Sequence, residues 1–351
     1  MNVRWTFTVR VGQTRGVPLS PTSRATGLPP RAAALAVLVA VIWGVNFVVI
    51  DEGLGDVPPT LFAAVRFVLV VVPAVFFVPR PAARWRDVAL VGACMSLGQF
   101  GFLYTALAVG MPAGLASLVL QAQVVLTVLF ASMALRETPT RNQLVGVLVG
   151  AAGLVVVGLA LGARTPLTAF ALTLAAAASW AVGNVVSRRI GAASASAGVS
   201  RPTSGLSLTV WSAVVVPVPL FALSLVLDGP GAVGHALAHP TLAAVLSTAY
   251  TVYLASLVGY GIWNSLLARY PASAVVPFTM LVPVVGAATA WIVLGEVPNG
   301  GQVVGGVLLL AGVAITTGVL RRPRRSRAVA DRSTTQSGRP HTSRSSTAAG
   351  L

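Results

Sequence analysis

Between Arg31 and Leu320 the chain repeats one pattern ten times: an apolar run closed by Pro, Gly or charge, each run about as long as the roughly 20 residues that cross a bilayer. The runs fall near 32–50, 59–78, 88–108, 112–133, 142–161, 167–187, 205–227, 241–266, 272–294 and 300–320. Backbone polar groups in hydrocarbon must be satisfied within each segment, so runs of this length and spacing predict helices. The expected fold is an all-α polytopic membrane protein of ten transmembrane helices. Composition agrees, with 56% hydrophobic and 9% charged residues where a soluble domain carries roughly a quarter charged. The first run is too long for a cleaved leader and is followed by Asp51, Glu52 and Asp56 rather than small residues, so it reads as a retained helix.

Charge fixes the expected orientation. All 24 basic residues are Arg, and 13 of them lie in 1–31 and 321–351, segments rich in Ser, Thr, Pro and Gly. Such segments read as disordered basic tails that touch anionic headgroups rather than nucleic acid. Counted over alternate connections, 22 arginines fall on one side, while Arg164 alone falls on the other and Arg66 stays inside a span. The acidic residues Asp51, Glu52, Asp56, Asp228 and Glu296 cluster on the Arg-poor side. Both termini are therefore expected on the cytoplasmic side of the plasma membrane.

An internal repeat sets the organisation. Slid by 159 residues, 111–157 lies over 270–316 without a gap and with 12 identities in 47 positions. Pro112 meets Pro271, Leu135 meets Leu294, Glu137 meets Glu296, Pro139 meets Pro298, Gln143 meets Gln302 and Gly146 meets Gly305. Trp43 and Asn46 in the first run resemble Trp180 and Asn184 in the sixth. The unit is five helices, giving repeats at 32–161 and 167–320, the stretch 162–204 carrying the sixth helix and the loop after it. Because five is odd, the second unit enters the membrane from the opposite side, and inverted halves are the architecture of alternating-access carriers.

The candidate chemistry is sparse. Arg66, seven residues into the second run and about 10 Å along the helix, is the one charged side chain inside a span. It can meet a substrate carboxylate through its planar fork, or cap carbonyls and snorkel as a structural residue. Asn46, Gln99, Gln121, Gln123, Asn184 and Asn264, with Trp43, Tyr104, Trp180, Tyr260 and Trp263 close by, either outline a polar cavity for a zwitterion or bond helices together. No Asp, Glu or His sits mid-span, so proton coupling would have to use carboxylates near loops. Glu137 and Glu296, at equivalent ends of spans 4 and 9, pair with a backbone terminus or act as gates.

Gly146 and Gly150, like Gly301 and Gly305, have GxxxG spacing and offer either a homodimer face or an internal contact. Pro112, Pro271, Pro277 and Pro283 are expected to interrupt spans 4 and 9 as hinges. A single Cys94 excludes an intramolecular disulfide and CxxC zinc, and His235 with His239 lack a third ligand. Nothing resembles a nucleophile elbow, an HExxH helix or a phosphate loop, so neither enzyme activity nor a cofactor is expected.

The stretches WGVNFVVI (43–50), MPAGLASLVLQAQ (111–123), LTLAAAASWAVGNVVSRRI (172–190) and LVGYGIWNSLLARY (257–270), with Leu-x-Glu ending an apolar run in each half, resemble the EamA-type drug/metabolite transporter superfamily. That resemblance spans about 31–320 and leaves both tails outside it. It implies efflux of small amino acids or metabolites such as O-acetylserine and cysteine across the inner membrane, without ATP hydrolysis by this chain. Carriers of other solutes, nucleotide-sugars or drug-like cations among them, remain alternatives, as does a membrane sensor without flux.

Overall fold

The computed structural model describes residues 28–318 apart from 56, 137, 162–164, 197–204 and 271. Both tails up to residue 27 and beyond residue 318, together with Asp56, Glu137, Arg164 and Pro271, lie outside the described residues. Every described element is helical, and ten helices are long and apolar enough to cross a membrane. Spans 1 to 5 are Pro30–Leu54, Pro59–Phe77, Trp85–Ala108, Ala113–Leu135 and Arg141–Leu159. Spans 6 to 10 are Leu167–Ile190, Leu206–Leu227, Leu242–Leu266, Val276–Leu294 and Gly300–Thr317. Large apolar side chains such as Phe77, Leu148, Val226 and Ile292 face outward, where acyl chains replace water.

Local rules explain the ends. Spans 1 and 2 begin with proline in the first turn, where a missing N–H costs nothing. Span 5 starts with a capping box between Thr140 and Gln143, and span 10 with the same box between Asn299 and Gln302. These pairs are equivalent under the 159-residue shift. So are the residues that end spans 4 and 9 in left-handed geometry, Arg136 at φ 54° and Gly295 at φ 67°. Arg136 is the one non-glycine residue with positive φ among those described, a conformation costing an L-residue about 1–2 kcal/mol.

Five spans depart from a plain α-helix: span 7 breaks between Gly205–Ala213 and Pro217–Leu227, and the other four depart in pairs. Span 4 breaks between Ala113–Val119 and Ala122–Leu135, while span 9 opens with a 3₁₀ stretch, Val276–Met280, before Leu281–Leu294. Gln121 and Met280, equivalent in the repeat, both precede the second helix with nearly the same dihedrals, φ −65° ψ −14° and φ −67° ψ −16°. Pro112 does not interrupt span 4 as expected: it is the N-cap, and the break eight residues on contains no proline. Spans 3 and 8 carry π-helical stretches, Ala93–Gly98 and Tyr250–Gly259.

Between spans 5 and 10 glycine faces glycine. Spans 5 and 10 lie backbone to backbone, and a Cβ on Gly305 would stand 2.7 Å from both Gly153 O and Val157 N. Gly146 and Gly150 face Gly312 in the same seam. Of the two roles open to the GxxxG spacings, the internal contact is the one the structure contains. The principal core gathers Phe47, Phe62, Phe67, Phe100, Leu103 and Tyr104 from spans 1 to 3 with Val119, Ala176, Leu220 and Val282 from later spans.

Candidate functional site

Arg66 is the focus. The second span carries it inward at 3% exposure, against the ring of Phe100 at 4.2 Å from guanidinium carbon to ring centre. Its Nη1 donates to the Tyr104 hydroxyl at 3.1 Å and its Nη2 to the Ser256 hydroxyl at 3.1 Å. Both partners are neutral, and Nε is buried without a partner. A full positive charge thus stands within the membrane, oriented from spans 2, 3 and 8 and left with unspent donor capacity.

Tyr260 belongs to an aromatic group with Trp43 and Trp263, whose rings lie 5.1 and 5.4 Å from that of Trp43. The Trp43 indole is fixed by donation from Nε1 to Ala255 O at 2.9 Å. Asn46, one helical turn further along span 1, is 8% exposed, and its Oδ1 is buried without a partner. An unpartnered acceptor, Asn46 Oδ1 on span 1, and a cation whose Nε is unpartnered, Arg66 on span 2, are the complementary ends that a zwitterion's ammonium and carboxylate require.

The other amides have mixed roles. Gln121, at the break of span 4, donates from Nε2 to Thr279 O in the 3₁₀ stretch of span 9 at 3.1 Å, so the two interrupted helices meet there. Asn184 Nδ2 donates to Gln123 Oε1 at 3.0 Å and to Thr127 Oγ1 at 3.2 Å, joining spans 6 and 4. Gln99 is buried just after the π-helical stretch of span 3, and Trp180 is half-buried against the principal core. Asn264 turns its amide onto Tyr260 O of its own helix at 2.8 Å. Eight of the twelve predicted residues fall into an Arg66–Tyr104 centre, an aromatic group and two amide bridges.

Ser256, Phe100, Thr127 and Thr279 complete these contacts and do not stand out in the sequence, because a hydroxyl or a Phe inside an apolar run has no distinctive spacing. A cavity of about 490 Å³ between spans 4, 9 and 10 contains none of the twelve, and is lined by Leu115, Leu118, Val284, Val303 and their neighbours with Glu296 among them. Glu296 accepts from Ala113 N at 2.8 Å through Oε1 and from Gly114 N at 3.0 Å through Oε2. Of its two expected roles, pairing with a helix terminus is the one seen. His235, on the short helix Gly229–Ala238, and His239, its C-cap, have ring centres 4.8 Å apart, and no group of three or more potential metal ligands exists among the described residues.

Ten apolar helices among the described residues, with two interrupted helices in contact, define a multi-pass membrane protein. The chain belongs to the EamA-like transporter family, whose model matches twice, at residues 30–159 and 167–318. It is 43% identical over 289 residues to a probable amino-acid metabolite efflux pump of Escherichia coli K12, covering 82% of this chain and 95% of that protein. A Salmonella typhimurium protein of the same description is 44% identical over 283 residues, covering 80% and 93%. A probable terminal-alkyne amino-acid exporter of Streptantibioticus cattleyicolor is 29% identical, covering 81% and 93%. A crystal structure with 20% identity and a TM-score of 0.55, covering 82% of this chain and 97% of that one, shares the fold.

Proposed function

We propose that this chain exports small amino acids or their metabolites, of the O-acetylserine and cysteine type, across the cytoplasmic membrane by alternating access. The observation that carries this reading is the Arg66 guanidinium, buried at 3% exposure, held by two neutral hydroxyls and with Nε unpartnered. A buried cation without a counter-charge favours an anionic group on the solute, and a guanidinium fork suits a carboxylate. Asn46 Oδ1 accepts from the substrate ammonium, while Trp43, Tyr260 and Trp263 form an aromatic wall to which a cationic group is attracted. The relatives described as amino-acid metabolite efflux pumps support the same solute class.

In this reading the halves 32–161 and 167–320 are inverted repeats, both termini are cytoplasmic, and the basic tails lie against anionic lipid. The paired breaks of spans 4 and 9 and the paired capping boxes of spans 5 and 10 support two copies of one unit. Substrate enters between the halves, its carboxylate replacing water at Arg66, and leaves when the halves rock to the other face.

The test is flux of labelled cysteine and O-acetylserine into liposomes holding the purified chain, with and without a pH gradient. Saturable flux that Arg66→Gln abolishes is the expected result. Unchanged flux and substrate affinity in Arg66→Gln would remove the carboxylate role, and no flux from folded protein would remove the solute class. Dependence on the gradient would direct attention to the carboxylates near loops.

A further inference from the structure

The π-helical stretches of spans 3 and 8 share more than their geometry. Ala93–Gly98 lies in the third helix of the first half and Tyr250–Gly259 in the third helix of the second. A π-turn is rare and tends to sit at functional positions, so its occurrence at one place in both halves needs a cause. Each stretch ends in glycine, and each glycine makes room for one side chain from the first span of the other half. A Cβ on Gly259 would stand 2.7 Å from Trp43 Nε1, and one on Gly98 would collide with the Ser179 hydroxyl. Each side chain donates to a carbonyl of the stretch: Trp43 Nε1 to Ala255 O at 2.9 Å, and Ser179 Oγ to Cys94 O at 2.8 Å. Trp43 lies in span 1, and Ser179 in span 6 beside Trp180, which matches Trp43 in the repeat.

Both stretches lead to Arg66. In span 8 the wide turn lets Ser256 Oγ donate to Thr251 O, five residues back, at 2.8 Å while it accepts from Arg66 Nη2. In span 3 the stretch ends six residues before Tyr104, which accepts from Arg66 Nη1. Removing one residue's worth of turn rotates the remainder of the helix by about 100°, since an α-turn holds 3.6 residues. The hydroxyls on Arg66 are therefore held in place by the register of the two π-turns.

We infer that Trp43 and Ser179 are positioning residues of the transport site. Each holds the π-turn of the opposite half in register, and release of these two bonds lets spans 3 and 8 carry Tyr104 and Ser256 off Arg66 as access changes sides. The inference rests on the carrier reading above and adds to it the pair of turns through which the halves are coupled.

Cys94, the chain's single cysteine and half-buried within the span 3 turn, is a native reporter. The full chain in liposomes is labelled with a membrane-impermeant maleimide, as wild type, Ser179→Ala, Trp43→Phe and the lipid-facing control Trp291→Phe. Ser179→Ala is expected to change the Cys94 labelling rate about fivefold, the equilibrium shift of one neutral hydrogen bond. Trp43→Phe is expected to change it in the same direction, although its bond lies in span 8. A local structural role for Trp43 would not move a reporter in span 3. In flux measurements Ser179→Ala, which lies outside the aromatic wall, lowers turnover while KM stays within about twofold. Gly259→Ala, which presses on the Trp43 indole, tests the same bond from the other side should Trp43→Phe fail to fold.

Labelling that is equal in wild type and variants, at any level including none, overturns the inference whatever the flux. A labelling change in Ser179→Ala alone also overturns it, because the two turns are then uncoupled. Coupled labelling changes without flux of any tested solute leave the turns standing and refute the solute assignment.

Discussion

Glu296 offers a measurable link between the two halves. Span 4 begins after Pro112, so the first backbone donors without a helical acceptor are those of Ala113, Gly114 and Leu115. Glu296 satisfies the first two at 2.8 and 3.0 Å, and its place after span 9 means that these bonds join the second repeat to the first. A hydrogen bond to a charged group contributes about 1.5–3 kcal/mol, and partial exposure of Glu296 puts these two at the lower end. The helix N-terminus adds a few tenths of a kcal/mol for the negative charge. Glu296→Ala should therefore destabilise the protein by about 2–4 kcal/mol. Glu296→Gln, which keeps one acceptor but loses the charge, should cost roughly half as much. Thermal unfolding in detergent, monitored by tryptophan fluorescence, should show a fall of several degrees for Ala and a smaller one for Gln, at about 2–4 °C per kcal/mol. If Glu296→Ala unfolds within about a degree of wild type, the carboxylate is not holding the helix end and the reasoning fails.

The packing and the site carry further expectations. Gly305→Ala, whose Cβ would meet two backbone atoms at 2.7 Å, should lower stability by about 1–3 kcal/mol, whereas Gly300→Ala, with open space around it, should be neutral or slightly stabilising; equal melting of the two variants would refute the seam. Gly295→Ala forces a Cβ into φ 67° and should cost about 1 kcal/mol, while the equivalent Arg136→Gly should gain a similar amount, both read from unfolding in detergent. Arg66→Lys keeps the charge but loses the planar fork, so affinity for carboxylate substrates should fall about tenfold or more in a binding assay. An unchanged affinity would show that a point charge suffices.

Legibility varies with the physical signal behind each feature. Ten spans can be read because bilayer thickness imposes one length on every helix, and their ends lie close to the expected positions. The pairing of Glu296 with a backbone terminus is one of two roles open to it in the sequence, since a carboxylate near a span end signals polarity but not its partner. Arg66 stands out because a charge inside a span is rare, yet its partners Tyr104 and Ser256 lie 38 and 190 residues away, and no local pattern reports such a meeting. Sequence reasoning places the break in span 4 at Pro112 because proline is the familiar helix breaker. The break occurs instead at Leu120 and Gln121, where the interruption in span 9 opposite gives Gln121 a carbonyl to bond. The π-turns have no signal at all in a single sequence, because a wide turn uses the same residues as a normal one.

The glycine seam of spans 5 and 10 has a mechanical consequence. Where two backbones touch with no side chains between them, sliding is not gradual: a shift along the axis drives a neighbouring Cβ, such as that of Val157, into the facing main chain at Gly305. The pair behaves as a keel, stiff along its length and without slack. In the transport cycle proposed above, the displacement that carries a solute from one face to the other is then hinged about this keel, by spans that keep side chains and interrupted turns between them.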